Sequence, residues 1–337
     1  MKTSTSKRLR WNVAIWLAAG LFMTSTAGMA SGPIMPDPKA EARHQPQIEE
    51  TANGIPLVNI TAPSSGGVSR NEYETFNVPD KGAILNNSYT LSKTELAGYV
   101  QGNNNMAERP AKIIVNEVTG AGPTSMDGFL EVAGNRADVV IANPNGITVN
   151  GGGFINTGKA FLTTGKPVYD GEDHLQRFDI TGGDILIEGK GLGGKETGSL
   201  AILSRAVKIN AGIWAKDLHI TTGANTVDAK TLEASAIEGK GGRPAFALDT
   251  AAIGGMYAGR ITLVGTEKGL GVNNSGTWSA EDNLTLDWNG DLKNSGTIYS
   301  KGNTDLRASR LENDKTIAAG KDITISADGH VTNTGTV

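Results

Sequence analysis

Between residue 55 and the end of the chain, apolar residues come in short clustered or alternating runs, each broken by Gly, Asn or Asp. Ala111-Lys-Ile-Ile-Val115, Ala137-Asp-Val-Val-Ile-Ala142, Asp184-Ile-Leu-Ile187 and Arg260-Ile-Thr-Leu-Val264 have the length and alternation of strands, and the breaks have turn chemistry. One short helix is expected around Ser92 to Tyr99, with Ser92 as the cap and Glu95 three residues on, as in a capping box. Residues 31–52 carry Pro33, Pro36, Pro38 and Pro46 among Gln and charged residues, a composition that predicts a flexible leader.

The tail repeats itself. Val272-Asn-Asn-Ser-Gly-Thr-Trp278, Leu292-Lys-Asn-Ser-Gly-Thr-Ile298, Leu311-Glu-Asn-Asp-Lys-Thr-Ile317 and Val331-Thr-Asn-Thr-Gly-Thr-Val337 are one unit, spaced 20, 19 and 20 residues apart. A second strand follows each of the first three, in Asn283-Leu-Thr-Leu286, Thr304-Asp-Leu-Arg307 and Asp322-Ile-Thr-Ile325, so a repeat holds at least two. A unit this short cannot bury an apolar face alone. Stacking is required, with strands about 4.8 Å apart and Asn274, Asn294, Asn313 and Asn333 in one file, which describes the coils of a parallel β-helix. Those asparagines can pair their amides up the stack, or can simply tolerate the turn; the sequence leaves both open. Leucine-rich repeats share the period but need a denser Leu pattern. The fourth unit ends at Val337 without a polar cap, so residues 271–337 are expected to be the start of a longer, truncated shaft.

Lys2, Lys7, Arg8 and Arg10 precede an apolar run from Trp11 to Met23 and a small-residue segment ending in Gly28-Met-Ala30. This is the form of a secretory signal peptide over residues 1–30, cleaved between Ala30 and Ser31. The run is shorter than the ~20 residues of a membrane span. Formal net charge is −4, and loss of the four leader cations leaves 27 basic against 35 acidic residues, a charge of −8. A polycationic nucleic-acid binder is thereby excluded. Glycine is abundant, with 45 residues, and cysteine is absent, which removes disulfides, thiolate nucleophiles and zinc-thiolate sites. For an exported chain that is informative, since a second membrane to be crossed unfolded would select against disulfides.

No catalytic set, metal site or cofactor site emerges. His44, His174, His219 and His330 are too scattered for ligand spacing and are expected on the surface or in strands. Gly189-Lys-Gly-Leu-Gly-Gly194 matches a nucleotide-binding pattern, but Lys195-Glu-Thr-Gly198 would break the helix that pattern needs. Gly151-Gly-Gly153 fits a tight corner between strands. Carboxylates are spread through turns, with no pair to nominate for a polysaccharide-cleaving β-helix enzyme. Asn143-Pro-Asn-Gly146 places Asn, Pro, Asn and Gly where a rigid β-turn wants them, between strands 137–142 and 147–149.

At these residues the sequence resembles the amino-terminal secretion domain of two-partner secreted exoproteins, the family of filamentous haemagglutinins, large haemolysins and contact-dependent inhibition toxins. The resemblance runs from about Asn53 to Trp278, through Gly82-Ala-Ile-Leu-Asn-Asn-Ser88, Val115-Asn-Glu-Val-Thr-Gly120, Glu131-Val-Ala-Gly134, Ile141-Ala-Asn-Pro-Asn-Gly-Ile147, Gly153-Phe-Ile-Asn-Thr157, Ile209-Asn-Ala-Gly-Ile-Trp-Ala-Lys-Asp-Leu218 and Gly254-Gly-Met-Tyr-Ala-Gly259. It implies an all-β, right-handed parallel β-helix with an N-terminal cap and extra-helical strands, and a secretion domain over residues 53–270. It also implies Sec-dependent passage to the periplasm, an outer-membrane transporter of the Omp85 type as partner, a secreted or cell-surface location, and no enzymatic activity in this region. The family's secretion motif maps onto Asn143, Pro144, Asn145, Gly146 and Ile147. A second motif, Asn-Pro-Asn-Leu in the family, aligns with Asn103, Asn104, Asn105 and Met106, where Pro and Leu are lost. Many toxin-type members carry two cysteines just after the turn; Val149 and Gly152 stand near those places, which leans toward a haemagglutinin-like adhesin, with a toxin-delivery stalk or haemolysin as the alternative. Contact with a host or neighbouring cell would fall to regions beyond this chain.

Overall fold

The computed structural model describes residues 32–107 and 109–337, so the signal peptide and cleavage site expected from the sequence lie outside the described residues. What it shows is a parallel β-helix. Strands predominate, and among the described residues the helical elements are two single 3-10 turns, Ala42–His44 and Asn104–Met106.

The tail shows the plan most simply. Each coil has three strands, as in Leu292–Asn294, Thr297–Ser300 and Thr304–Ala308, because the repeated unit itself bends at Ser295-Gly296. Successive coils pair in parallel register, Val272 to Leu292 to Leu311 to Val331, and Trp278 to Ile298 to Ile317. The bridge from Thr316 to Thr336 brings Val337 next in that second file, where it is half exposed. Alternation does the sorting: along Leu284–Trp288, Leu284, Leu286 and Trp288 point inward while Thr285 and Asp287 face solvent. The asparagine ladder is real. Asn274 Nδ2 donates to Asn294 Oδ1 at 2.8 Å, Asn294 to Asn313 at 2.7 Å and Asn313 to Asn333 at 2.7 Å. Asn274 and Asn294 also accept from the amides of Gly276 and Gly296, so each side chain both holds its own corner and reaches the next coil.

The same three faces continue backward through the head. The nine-stranded sheet stacks Thr124–Met126, Ile147–Val149, Asp184–Ile187, Ala206–Ile209 and Phe246–Thr250 before the tail strands. A single apolar core runs through the coils, from Val58, Phe76 and Met126 to Ile220, Trp278 and Ile317.

Two expectations are overturned here. Of the leader expected over residues 31–52, the described part, 32–52, is not loose: Ile34–Pro36 pairs antiparallel with Val68–Phe76, and Gln47–Glu50 pairs antiparallel with Pro56–Asn59. Both close edges of the first coil that would otherwise expose unpaired backbone groups, and the prolines sit at or beyond the strand ends, where no ladder amide is needed. Nor does a helix form near Ser92. Ser92–Thr94 and Gly98–Val100 make an antiparallel hairpin projecting from the coil. Its turn amides, at Glu95 and Leu96, are taken by the Glu131 carboxylate at 2.7 and 2.9 Å, and Gly98 adopts φ +72°, outside a helix.

A second excursion is an antiparallel sheet of Lys166–Tyr169, Leu175–Ile180, Asn225–Asp228 and Ala234–Ala236. Phe178, Ile180 and Val227 from it cover Val140, Phe161, Ala201 and Leu203 on the outside of the coils.

Candidate functional site

Strand Ala137–Ala142 ends at Asn143, whose side chain is fully buried. The Gly146 amide donates to the Asn143 carbonyl at 3.1 Å and closes the expected β-turn. Asn143 Oδ1 accepts from the Asn145 amide at 2.9 Å and from Asn145 Nδ2 at 3.0 Å. Asn143 Nδ2 reaches the preceding coil, donating to the Gly122 carbonyl and to Thr124 Oγ1, both at 3.0 Å, while Asn145 Nδ2 donates to the Gly120 carbonyl at 2.8 Å. On the other side the turn abuts the following coil. Gly146 has φ +109°, a backbone angle that favours glycine, and a Cβ there would stand a tight 3.1 Å from the Asp184 carbonyl. Ile147 is buried and pairs with Thr124 and Ile185. Of the five motif residues, only Pro144 and Asn145 present exposed surface.

The second motif has the same plan despite its altered sequence. Asn103 is buried, its Oδ1 accepts from the Asn105 amide at 3.0 Å, and the Met106 amide donates to the Asn103 carbonyl at 3.1 Å. Asn103 Nδ2 donates to the carbonyls of Ile60 and Asn86 at 2.8 and 3.0 Å, and Asn105 Nδ2 to Ile60 at 3.1 Å. Met106 fills the apolar fourth position within the core, and Asn104 is the exposed second residue. Thus the pinning asparagines survive where the proline does not.

Beside this second turn lies a cavity of about 430 Å³, lined by Arg43, His44, Gln45, Arg70, Asn105 and Asp173 among others. Its walls join three parts of the chain through charge. His44 Nδ1 is 3.0 Å from Glu72, Arg43 is 2.6 Å from Asp173, and Arg70 is 2.9 Å from Glu72 and 3.5 Å from Glu117. Burial raises the Glu117 carboxyl above the usual range, against the pull of Arg70. The Arg70 guanidinium also sits 4.4 Å over the Tyr169 ring. Sequence reasoning placed His44 at the surface or in a strand; it is buried on the 3-10 turn. Nothing local announces this, because every partner is distant in the chain.

The other sequence candidates have structural roles. Gly151 (φ +98°) makes the corner between strands 147–149 and 152–155, and Gly189 and Gly191 (φ +56° and +79°) make the equivalent corner one coil later, with a strand and not a helix following. Among the described residues no group of three or more His, Asp or Glu is placed to hold a metal ion, and no helix is long and apolar enough to cross a membrane.

Comparison with known proteins gives a consistent picture. The family model described as "TPS secretion domain" matches residues 33–299, which begins inside the segment expected to be a leader and extends into the first regular coils. Toxin CdiA of Yersinia pestis is 44% identical over 298 residues, covering 82% of this chain and 9% of that protein. The 16S rRNA endonuclease CdiA of Enterobacter cloacae subsp. cloacae is 42% identical over 308 residues, covering 90% and 9%. The chain therefore spans about a tenth of the length of these relatives. The crystal structure of a filamentous hemagglutinin secretion domain superimposes with a TM-score of 0.69 at 32% identity, covering 89% of this chain and 99% of that one.

Proposed function

The chain belongs to the family of TPS secretion domains, and we propose on that premise that it is the end of a secreted or cell-surface exoprotein that targets it to a dedicated outer-membrane transporter and nucleates its β-helix. The observation that carries this reading is the Asn143 turn. Its buried asparagine locks it between two coils, and it leaves Pro144 and Asn145 facing outward. A locally encoded turn with two outward residues suits recognition, and its inward bonds suit nucleation once the coils form. Residues 1–30 act as a Sec signal cleaved after Ala30. The coils then form outside, where each buries apolar surface worth about 25 cal/mol per Å² against return.

The exoprotein itself is proposed to be a toxin-delivery stalk of the contact-dependent inhibition type, because the relatives named above are toxins, one of them an endonuclease. This departs from the adhesin favoured by the missing cysteines. The adhesin reading keeps one observation in its support, the likeness to the filamentous hemagglutinin domain. Cells carrying the full gene, mixed with neighbours that lack any immunity protein, should inhibit them; no inhibition beside firm adherence would favour the adhesin.

The secretion role is tested by the partition of protein between periplasm and medium in cells with the cognate transporter. Asn143→Ala and Asn145→Ala should each cause a clear export defect, and Asn105→Ala a weaker one. Normal export of the Asn143→Ala, Asn145→Ala double variant would remove the turn as a secretion determinant.

A further inference from the structure

One outward file of the β-helix is aromatic where most are polar. From coil to coil it runs Phe129, Gly153, Gly193, Trp214, Tyr257, Ser279, Tyr299. Phe129 and Tyr257 are 43% and 39% exposed, and Trp214 is partly exposed. Trp214 and Tyr257 stack with ring planes 16° apart. Part of this arrangement covers glycine backbone. Phe129 leans over Gly153 and Trp214 over Gly212, where an added Cβ would meet the rings at 2.4 and 2.5 Å. Gly193 is different: a Cβ there would meet nothing nearer than 3.7 Å. Above it a groove of about 300 Å³ stays open, with Phe129 and Trp214 as aromatic walls, Phe154 beneath, and Lys195 and Glu196 at the rim.

We propose that this groove is a subsite for one neutral sugar ring of a linear glycan. Its volume lies at the small end of ligand sites, enough for a single ring. Aromatic walls offer flat apolar surface, which matches the C–H faces of a pyranose, while Lys195 and Glu196 offer a donor and an acceptor to hydroxyls on its edge. Their opposite charges cancel, so the rim has no preference for an anionic ligand. A hydrocarbon chain would leave both charges facing apolar surface without a partner. A nucleotide would bring phosphate toward a chain of net negative charge. Tyr257 and Tyr299 continue the file along the helix axis, the direction in which a linear glycan would extend.

Cellohexaose, chitohexaose and maltohexaose, titrated separately into the 337-residue chain to about 10 mM, test the proposal by calorimetry and tryptophan fluorescence, with Kd on the order of 1 mM expected for one of them. The chain also carries Trp11, Trp16 and the buried Trp278 and Trp288, so the fluorescence change is assigned to Trp214 by its loss in Trp214→Phe. Trp214→Ala and Phe129→Ala should weaken binding by at least about tenfold. Because those two changes uncover glycine backbone, Gly193→Val is the decisive variant: it fills the groove from a position with room for a side chain, and should abolish binding with the melting temperature unchanged. No saturable signal with any of the three sugars overturns the proposal, as does binding that survives Gly193→Val. Preference for a heparin hexasaccharide that disappears with added salt overturns it in favour of general charge attraction. A Trp214-dependent signal from the transporter's periplasmic region, with none from sugars, overturns it in favour of a protein surface.

Discussion

Followed outward from the first coils, one exterior file of side chains reads Val115, Val140, Phe161 and Ala201, and then His219, Thr262, Thr285 and Asp305. The backbone pairing does not change along it. In the head this face is apolar, and the antiparallel sheet carrying Phe178, Ile180 and Val227 must cover it. In the tail it is polar, and water covers it. The difference teaches that a parallel β-helix leaves its exterior free to vary: the core file enforces the coil, and the outer file decides whether further structure is recruited. His219 stands at the changeover.

The largest effect should come from the feature both regions share, the core. Ile298 is completely buried in the tail, and Ile298→Asp would place an unpaired charge among Trp278 and Ile317, costing several kcal/mol. Exposed Lys301, three residues away, should tolerate replacement. Denaturant melts of the two variants check this, and equal stability would undo the assignment of inner and outer files in the tail.

The cover in the head comes next. Phe178 is fully buried against Phe161, ring centroids 5.8 Å apart, and Phe178→Ala should cost about 3–5 kcal/mol, although Phe178 belongs to no coil. The tail offers no equivalent residue. If Phe178→Ala leaves the melt unchanged while Ile298→Asp does not, the outer sheet is an ornament and the comparison fails.

The changeover residue predicts a pH effect. Burial lowers the His219 imidazole to about 4, so in the fold it is neutral, with Nε2 2.8 Å from Thr221 Oγ1. The unfolded chain takes up a proton near pH 6.5. Neutral His219 therefore contributes stability that is fully present above that value and is lost as pH falls toward 4, about 3 kcal/mol over the window. Glu117, Glu131 and Asp138, all raised by burial, act in the opposite sense, relieving strain as pH falls. The difference between the wild type and His219→Gln isolates the histidine: the variant should lose less stability between pH 6.5 and 4.

The same contrast explains what was legible in the sequence. The tail announced its stack, because one unit with Asn at its third position and an apolar seventh recurs every 19 or 20 residues. The Asn143 turn was legible too, since Pro144 and Gly146 fix their angles locally. The family resemblance implied a cap and extra-helical strands, but which residues build the cap and the hairpin was not legible. Ile34 is held by Phe76, and Glu95 and Leu96 by Glu131, and long-range partners of this kind leave no period or spacing to find. Ser92 with Glu95 satisfied the local rule for a helix start, but a distant carboxylate took the amides that a helix cap would have used. Asn103 shows the converse. Losing its proline made the motif look degenerate, yet its amide bonds match those of Asn143.

Smaller effects should separate the tail's buried ladder from its surface charges. Asn294 is completely buried and bonds to both neighbouring coils, so Asn294→Ala should cost about 1–3 kcal/mol by leaving polar groups of Asn274 and Asn313 unsatisfied. On the outside, opposite charges also pair from coil to coil, Asp291 with Arg310 and Lys293 with Glu312 at 3.4 Å. Both pairs join the same two coils that Asn294 joins to Asn313, and adjacency alone would suggest equal importance. Their surroundings argue otherwise. Both partners of each pair stand in water, which solvates them nearly as well apart as together and screens them further in salt. Arg310→Ala should therefore leave the melting temperature unchanged at physiological salt. A drop comparable to that of Asn294→Ala would mean that the exterior also holds the coils in register, and the inner file could no longer be credited with enforcing the coil alone.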